Sequence, residues 1–391
     1  MPIVDMKDML QHAYENRYAV GAFDLVSLDF LQGIIAAAEK EKSPVILSLA
    51  ESHFDYFDFE LLMSATLVAA KRATVPVAIH LDHGSSIDVA IEAIRYGCNG
   101  IMIDSSDRSL EENISITQSI VTMCKGCGVP VEGELGYVPG VEGEDAERHP
   151  GDVQYTMVDD AIQYVEKTNV DFLAVAIGTV HGRMKGKPNL DFERLHQINE
   201  ALGIPLVIHG GTGLDDNQYK ELIKNGVAKI NYYTALSDKA ANMIYKNSKT
   251  SDTYGYTGLV ENVQDAIARE ASYCINLWGS ANRSDDVMSF CKPWKEVEHL
   301  IIYNVDGINE TETKKMINEG KKVLSSIPGV REVFVGESML EKDAYRYTWL
   351  VKFCHPAVID SYRNHPEHVA FADNLFRPVA ADRISIDYQS L

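Results

Sequence analysis

The chain has 391 residues, with 36 Lys and Arg against 57 Asp and Glu, a formal charge of −21. That balance argues against a nucleic-acid or anionic-membrane partner, which would need a basic face. It leaves an anionic small molecule open, because a phosphate site needs only local donors. The 46% hydrophobic content excludes generic disorder, and the length calls for one large domain plus a small one, or two of middling size.

Lys7, Asp8 and Glu15 interrupt the N-terminus too early for a signal peptide, and no run reaches the roughly 20 apolar residues of a membrane span. Cys98, Cys124, Cys127, Cys274, Cys291 and Cys354 show no framework spacing, so reduced thiols and a cytoplasmic location are expected. Cys124 and Cys127 form a lone C-x-x-C, read as a chance pair at a helix end.

Eight short apolar runs follow in order, at 19–23, 44–49, 77–81, 100–103, 129–134, 172–177, 206–208 and 227–230. Most are unbroken rather than alternating, the pattern of strands buried on both faces. Helical spacing fills the gaps, with Leu31, Ile34, Ile35 and Ala38 on one face and Ile87, Ala90, Ile91 and Ile94 on another. Eight β-α alternations predict an α/β fold, a (β/α)8 TIM barrel over 1–283. The polar stretch 284–296 reads as a linker. From 297 to 391 the pattern becomes strand 297–305, helix 310–326 with Thr311 in its first turn, strands 330–335 and 347–353, helix 357–364 and strand 384–388. This β-α-β-β-α-β order is that of a small ferredoxin-like α+β domain.

Three histidines fall just past predicted barrel strands: His83, His181 and His209. Strand C-termini converge at the mouth of a barrel, and three imidazoles there match a catalytic zinc site with an open position, against the alternative of three unrelated histidines. His80 is expected to be structural. Asp82, beside His83, is either a proton shuttle or a group that orients a ligand histidine. Asp104 and Glu134, also at strand ends, are either such orienting groups or a second metal position. Gly210, Gly211 and Thr212 after strand seven, with Gly182 and Lys185 after strand six, offer backbone N–H groups, a hydroxyl and a charge suited to phosphate. Asn231 and Thr234 after strand eight complete the polar ring.

These stretches resemble the class II metal-dependent ketose-bisphosphate aldolases, of which the fructose- and tagatose-bisphosphate enzymes are the best known. The resemblance covers 1–283. It rests on Val20-Gly-Ala-Phe23, His80-Leu-Asp-His83, Ile103-Asp-Ser-Ser106, Glu132-Gly-Glu-Leu-Gly136, Ala176-Ile-Gly-Thr-Val-His181-Gly182, His209-Gly-Gly-Thr-Gly213 and Lys229-Ile-Asn231. It implies reversible cleavage of a ketose phosphate into dihydroxyacetone phosphate and an aldehyde through a zinc-stabilised enediolate. His83, His181 and His209 would bind zinc, and Asp82 would be the acid/base on the C4 oxygen. Glu142, in the loop 136–143, would move the proton at C3. Gly182, Lys185, Gly210, Gly211, Thr212, Asn231 and Thr234 would line the dihydroxyacetone phosphate pocket, with a monovalent cation (Na+ or K+) near the phosphate. The departures concern the other half of the substrate. Asp24 stands where the family usually has Asn, Ala50 where a Ser often meets a distal phosphate, and Ala235 where Asp or Glu usually follows; 247–268 contains no Arg. A ketose 1-phosphate, or an unusual bisphosphate, is therefore expected rather than fructose 1,6-bisphosphate.

Residues 297–388 resemble the stress-responsive α/β-barrel (Dabb) domain, through Val297-Glu-His-Leu-Ile-Ile-Tyr303, Ile327-Pro-Gly-Val-Arg331, Val335-Gly336 and His365-Pro-Glu-His-Val369. That resemblance implies sheets paired between copies, and hence a homodimer or homotetramer. His299, His365 and His368 are its candidate ligand residues, although dimerisation or aldehyde handling is the expected role. Two rival functions stay open at the level of sequence: a zinc-dependent barrel hydrolase, and a non-catalytic zinc-binding scaffold.

Overall fold

A computed structural model of the protein describes residues 2–148, 153–183, 188–250 and 255–389. Its contacts divide the chain into two compact units, one of Met1–Ser86, Cys98–Val121 and Pro130–Pro293, the other of Ile87–Gly97, Thr122–Val129 and Trp294–Leu391.

In the first unit, eight parallel strands close into a barrel: β1 (Val20–Asp24), β2 (Val45–Ala50), β3 (Val77–Gly84), β4 (Gly100–Ile103), β5 (Val131–Leu135), β6 (Phe172–Val175), β7 (Leu206–Ile208) and β8 (Val227–Tyr232). Every residue of seven of these strands is buried; in β3 only His83 is half-exposed. Closure leaves no strand edge unpaired. β5 starts two residues later than expected because Pro130 has no N–H to give the ladder; its carbonyl accepts from Ile101 N instead. β6 stops early because the Thr156 hydroxyl takes the N–H of Ala176, at 2.8 Å.

The N-terminal end of the barrel is plugged by a helix, Met6–Glu15, that the sequence patterning did not predict. Asp5 caps it by accepting from Lys7 N and Asp8 N. Met6, Met9, Leu10 and Ala13 pack with Ala22, Ala78, Phe172, Ala174, Val207 and Ala228 at the barrel floor. Within the expected linker 284–296, Ser284–Phe290 is a helix. Its Val287, together with Cys291, joins the same floor cluster. One short helix needs only one or two apolar contacts, too few to show as a period.

In the second unit, β9 (Val297–Tyr303), β10 (Val330–Glu337), β11 (Tyr347–Phe353) and β12 (Arg383–Gln389) form an antiparallel sheet in the order β10-β11-β9-β12. The helix Glu310–Ser326 opens with a capping box between Asn309 and Glu312. The expected helix 357–364 is observed as Val358–Arg363, followed by a second helix at Pro366–Phe371. On one sheet face Trp349, Val351 and Phe353 are buried. On the other, Phe334, Leu350, Leu300 and Ile386 align across the four strands. Phe334 is 51% exposed, and Ile384 and Ile386 are 42% exposed.

Candidate active site

Strand alternation stacks the barrel interior in layers. One layer is polar but fully buried. Lys229 Nζ donates to Glu132 Oε2 at 2.7 Å, and His209 Nε2 lies 3.0 Å from the other oxygen. His80 Nε2 is 3.7 Å from Glu132, and burial, reinforced by Lys229, keeps His80 uncharged. Lys229 and Glu132 were not singled out as candidates, because a lysine inside an apolar run reads as a solvent-facing residue. Here it is paired, the condition on which a buried charge survives.

The next layer forms the mouth. Between Leu81 and Gly84 the pairing of β3 with β4 shifts register, and His83 takes a left-handed backbone with φ 48°. This bulge turns His83 toward the side that Asp82 already faces. His83 Nδ1 donates to Asp104 Oδ2 at 2.8 Å, 4.0 Å from Glu134, while its Nε2 is buried with no protein partner. His181 Nδ1 lies 2.6 Å from Glu142 Oε1. Candidate ligand atoms of His83, His181 and His209 all lie within 4.8 Å of one another, and so do those of His83, Asp104 and Glu134. Each ring of the histidine trio gives one nitrogen to a carboxylate, the arrangement that orients imidazoles toward a metal. With the orphaned Nε2 of His83, this donor set fits a zinc-type cation.

The acids divide by environment. Burial opposes ionisation of Asp82, but charge on His83, His209 and Lys229 holds its carboxyl below the ordinary range. Asn231 Nδ2 donates to Asp82 at 2.9 Å. For Glu142, burial is likewise outweighed, here by the hydrogen bond and charge of His181 and by Thr234. Asp24 and Glu134 go the other way. Burial, with Asp82 and Glu142 near Asp24 and Asp104 near Glu134, pushes both carboxyls well up.

The remaining expected residues, Lys185 apart, lie in the segments that follow β6, β7 and β8. Gly182 and Gly210 have φ of 85° and 64°, and a Cβ on either would collide with a carbonyl, of Glu144 and Val180 respectively. The loops after β6 and β7 therefore pack backbone against backbone. The Gly211 carbonyl accepts from the Tyr219 hydroxyl, and Thr212 Oγ1 accepts from Ala235 N at 3.4 Å. Thr234 Oγ1 donates to Glu142 Oε2 at 2.9 Å and accepts from Gly143 N at 3.1 Å. Lys185 lies outside the described residues. His53 and Tyr233, which the sequence reading passed over, stand at the rim with ring centroids 4.5 Å apart.

Residues 4–283 match the family model described as fructose-bisphosphate aldolase class-II. The chain belongs to the class II fructose-bisphosphate aldolases. It is 39% identical over 288 residues to a probable fructose-bisphosphate aldolase of Bacillus subtilis, covering 73% of this chain and all of that one. It is 38% identical over 271 residues to the 6-phospho-5-dehydro-2-deoxy-D-gluconate aldolase of Halalkalibacterium halodurans, covering 68% of this chain and 93% of that one. The crystal structure of the YdjI aldolase from Escherichia coli K12 superposes with a TM-score of 0.65 at 34% identity, over 72% of this chain and 99% of that one. Residues 297–390 match the stress responsive A/B barrel domain. Both resemblances seen in the sequence are thus borne out. Class II aldolases are metal-dependent carbon–carbon lyases acting on sugar phosphates, which sets aside the hydrolase and scaffold readings. Among the described residues no helix is long and apolar enough to cross a membrane.

Proposed function

We propose that the barrel is a zinc-dependent aldolase that reversibly cleaves a ketose 1-phosphate into dihydroxyacetone phosphate and an aldehyde. The observation that carries this is the bulge at the end of β3, which delivers Asp82 beside the converging His83, His181 and His209. His83, His181 and His209 would hold a zinc ion, which would supply Lewis-acid polarisation of the ketose oxygens. Asp82, ionised and steadied by Asn231, takes the proton of the C4 hydroxyl as the C3–C4 bond breaks. The electron pair stays with C3, which receives a proton that Glu142, a carboxylate in the free site, has first taken up from solvent, while Asp82 releases its own to solvent; condensation runs these steps backwards. Asp104 orients His83, as Glu132 does His209. Gly182, Lys185, Gly210, Gly211, Thr212, Asn231 and Thr234 bind dihydroxyacetone phosphate, through backbone N–H groups where the glycines let the chain approach.

Asp24, Ala50, Ala235 and the absence of Arg from 247–268 support a monophosphate. Relatives at nearly equal identity carry different substrate names, so identity alone does not fix the aldehyde. The test is proton exchange at C3 of dihydroxyacetone phosphate, lost on chelation, followed by turnover of ketose 1-phosphates. Turnover of fructose 1,6-bisphosphate that equals or betters every monophosphate sinks the monophosphate reading. The exposed apolar face of the second sheet supports pairing between copies as a homodimer, or a homotetramer if a second interface forms. Ile386→Asp is expected to shift sedimentation toward monomer; unchanged sedimentation removes that face from the interface.

A further inference from the structure

The geometry points to Asp24 and His53 as the residues that read the aldehyde half, and to an uncharged polyhydroxy aldehyde as what they read. This rests on the aldolase reading above. The histidine trio comes from the ends of β3, β6 and β7, and the proposed phosphate loops follow β6, β7 and β8. A substrate running from those loops past Asp82 meets next the ends of β1 and β2. Asp24 is the last residue of β1, and Ala50, the last of β2, sits in register with Asp82. The alanine methyl offers a substrate no polar contact there. His53 follows in the turn Glu51–Tyr56, its ring against Tyr233 and Tyr56.

Both side chains are buried, with 1% of Asp24 and 4% of His53 exposed, and each holds a polar atom without a protein partner: Asp24 Oδ1 and His53 Nδ1. Such atoms are rare in folded proteins and call for an explanation. Asp82 and Glu142 act electrostatically on both groups, in keeping with the register that sets Asp24 beside Ser48 on β2 and Ala50 beside Asp82 on β3. Burial raises the carboxyl of Asp24, favouring its protonated form, and lowers the imidazole of His53, favouring the neutral ring. A neutral carboxylic acid and a neutral imidazole each present one donor and one acceptor, as a sugar hydroxyl does. Besides Asp24, segments 24–28 and 50–58 hold the acids Glu51, Asp55 and Asp58 but no Lys or Arg. An aldehyde ending in phosphate or carboxylate would meet like charge there.

The experiment pairs dihydroxyacetone phosphate with D-erythrose, acetaldehyde, D-glyceraldehyde 3-phosphate and glyoxylate, using the zinc-loaded full chain. Erythrose is expected to exceed both anionic aldehydes at least about tenfold in kcat/KM. In Asp24→Ala and His53→Phe the erythrose-to-acetaldehyde ratio of kcat/KM is expected to fall roughly tenfold or more, mainly through KM. Asp24→Asn, which keeps a donor and an acceptor in the same shape, should restore most of that ratio. A purely structural role lowers both aldehydes together and leaves the ratio unmoved, which overturns the inference. So does a wild-type preference for either anion. Wild-type proton exchange into dihydroxyacetone phosphate separates the two levels: its absence ends the aldolase reading, whereas its presence with an unmoved ratio ends only this one.

Discussion

His83 with Asp104, 2.8 Å apart, and His299 with Asp387, 2.6 Å apart, are the same pair of groups on two different sheets. In the barrel, the His83 ring lies 5.1 Å and 4.6 Å from the rings of His181 and His209. In the second sheet, the His299 ring stacks on Phe353 at 5.8 Å and meets Tyr362 edge-on at 6.0 Å. A histidine–carboxylate pair is therefore not yet a metal or proton-transfer site. Convergence makes the difference: strand ends that tilt toward one axis bring several oriented nitrogens to one point, while an open sheet with helices on one face leaves its histidine among hydrocarbon.

The sharpest way to break this contrast is to remove one member of each set. His209→Ala should abolish bound zinc, read by elemental analysis, together with turnover. Asp82→Ala should keep its zinc and lose roughly 10²–10⁴-fold in kcat, the usual worth of a positioned acid/base; a smaller loss with zinc intact would make Asp82 an orienting group only. Asp104→Ala should weaken zinc about 10–100-fold in a competition titration, as loss of an orienting carboxylate does. In the metal-free protein, burial opposes charge on His83, but Asp82, Asp104 and Glu134 together raise its pKa well above the usual value. The stability contributed by that proton is complete below the ordinary histidine pKa and lost as pH rises through the raised one. Zinc competes with the same proton, so its affinity should climb with pH across the neutral range; a flat profile would remove His83 from the ligand set. Smallest of all, His299→Ala should leave zinc content and kcat/KM where they are, and a loss there would mean that the two pairs are functionally linked.

Much of the barrel was legible because a strand buried on both faces has to be apolar along its whole length, and eight such runs leave few alternatives. The histidine trio was legible because each member sits at a strand end. What escaped follows from places where one residue does something its neighbours do not announce. The helix Met6–Glu15 interleaves its floor-packing residues with charges. The helix Ser284–Phe290 buries little besides Val287. Lys229 is polar inside an apolar run and is explained only by Glu132, 97 residues earlier in the chain. The bulge after Leu81 carries no glycine or proline at the residue that turns; the bend expected at a strand end allows Asp82 and His83 both to reach the mouth, but the sequence does not show that a register shift makes it. Nothing in the spacing marks His53, whose neighbour Tyr233 lies 180 residues further along.

The bulge also makes β3 a ruler. Asp82 and His83 are joined by one peptide bond, so their Cα atoms stay about 3.8 Å apart, and the backbone angles of the bulge set how the proposed acid/base faces the proposed metal ligand. Glu142 stands in the opposite case, carried on the connection between β5 and the helix Val158–Thr168 and located by its contacts with His181 and Thr234. The two proposed proton transfers should thus differ in their sensitivity to solvent friction. Exchange at C3 should slow in a viscous medium as the loop slows, while the step at the C4 oxygen, held on a single rigid strand, should not.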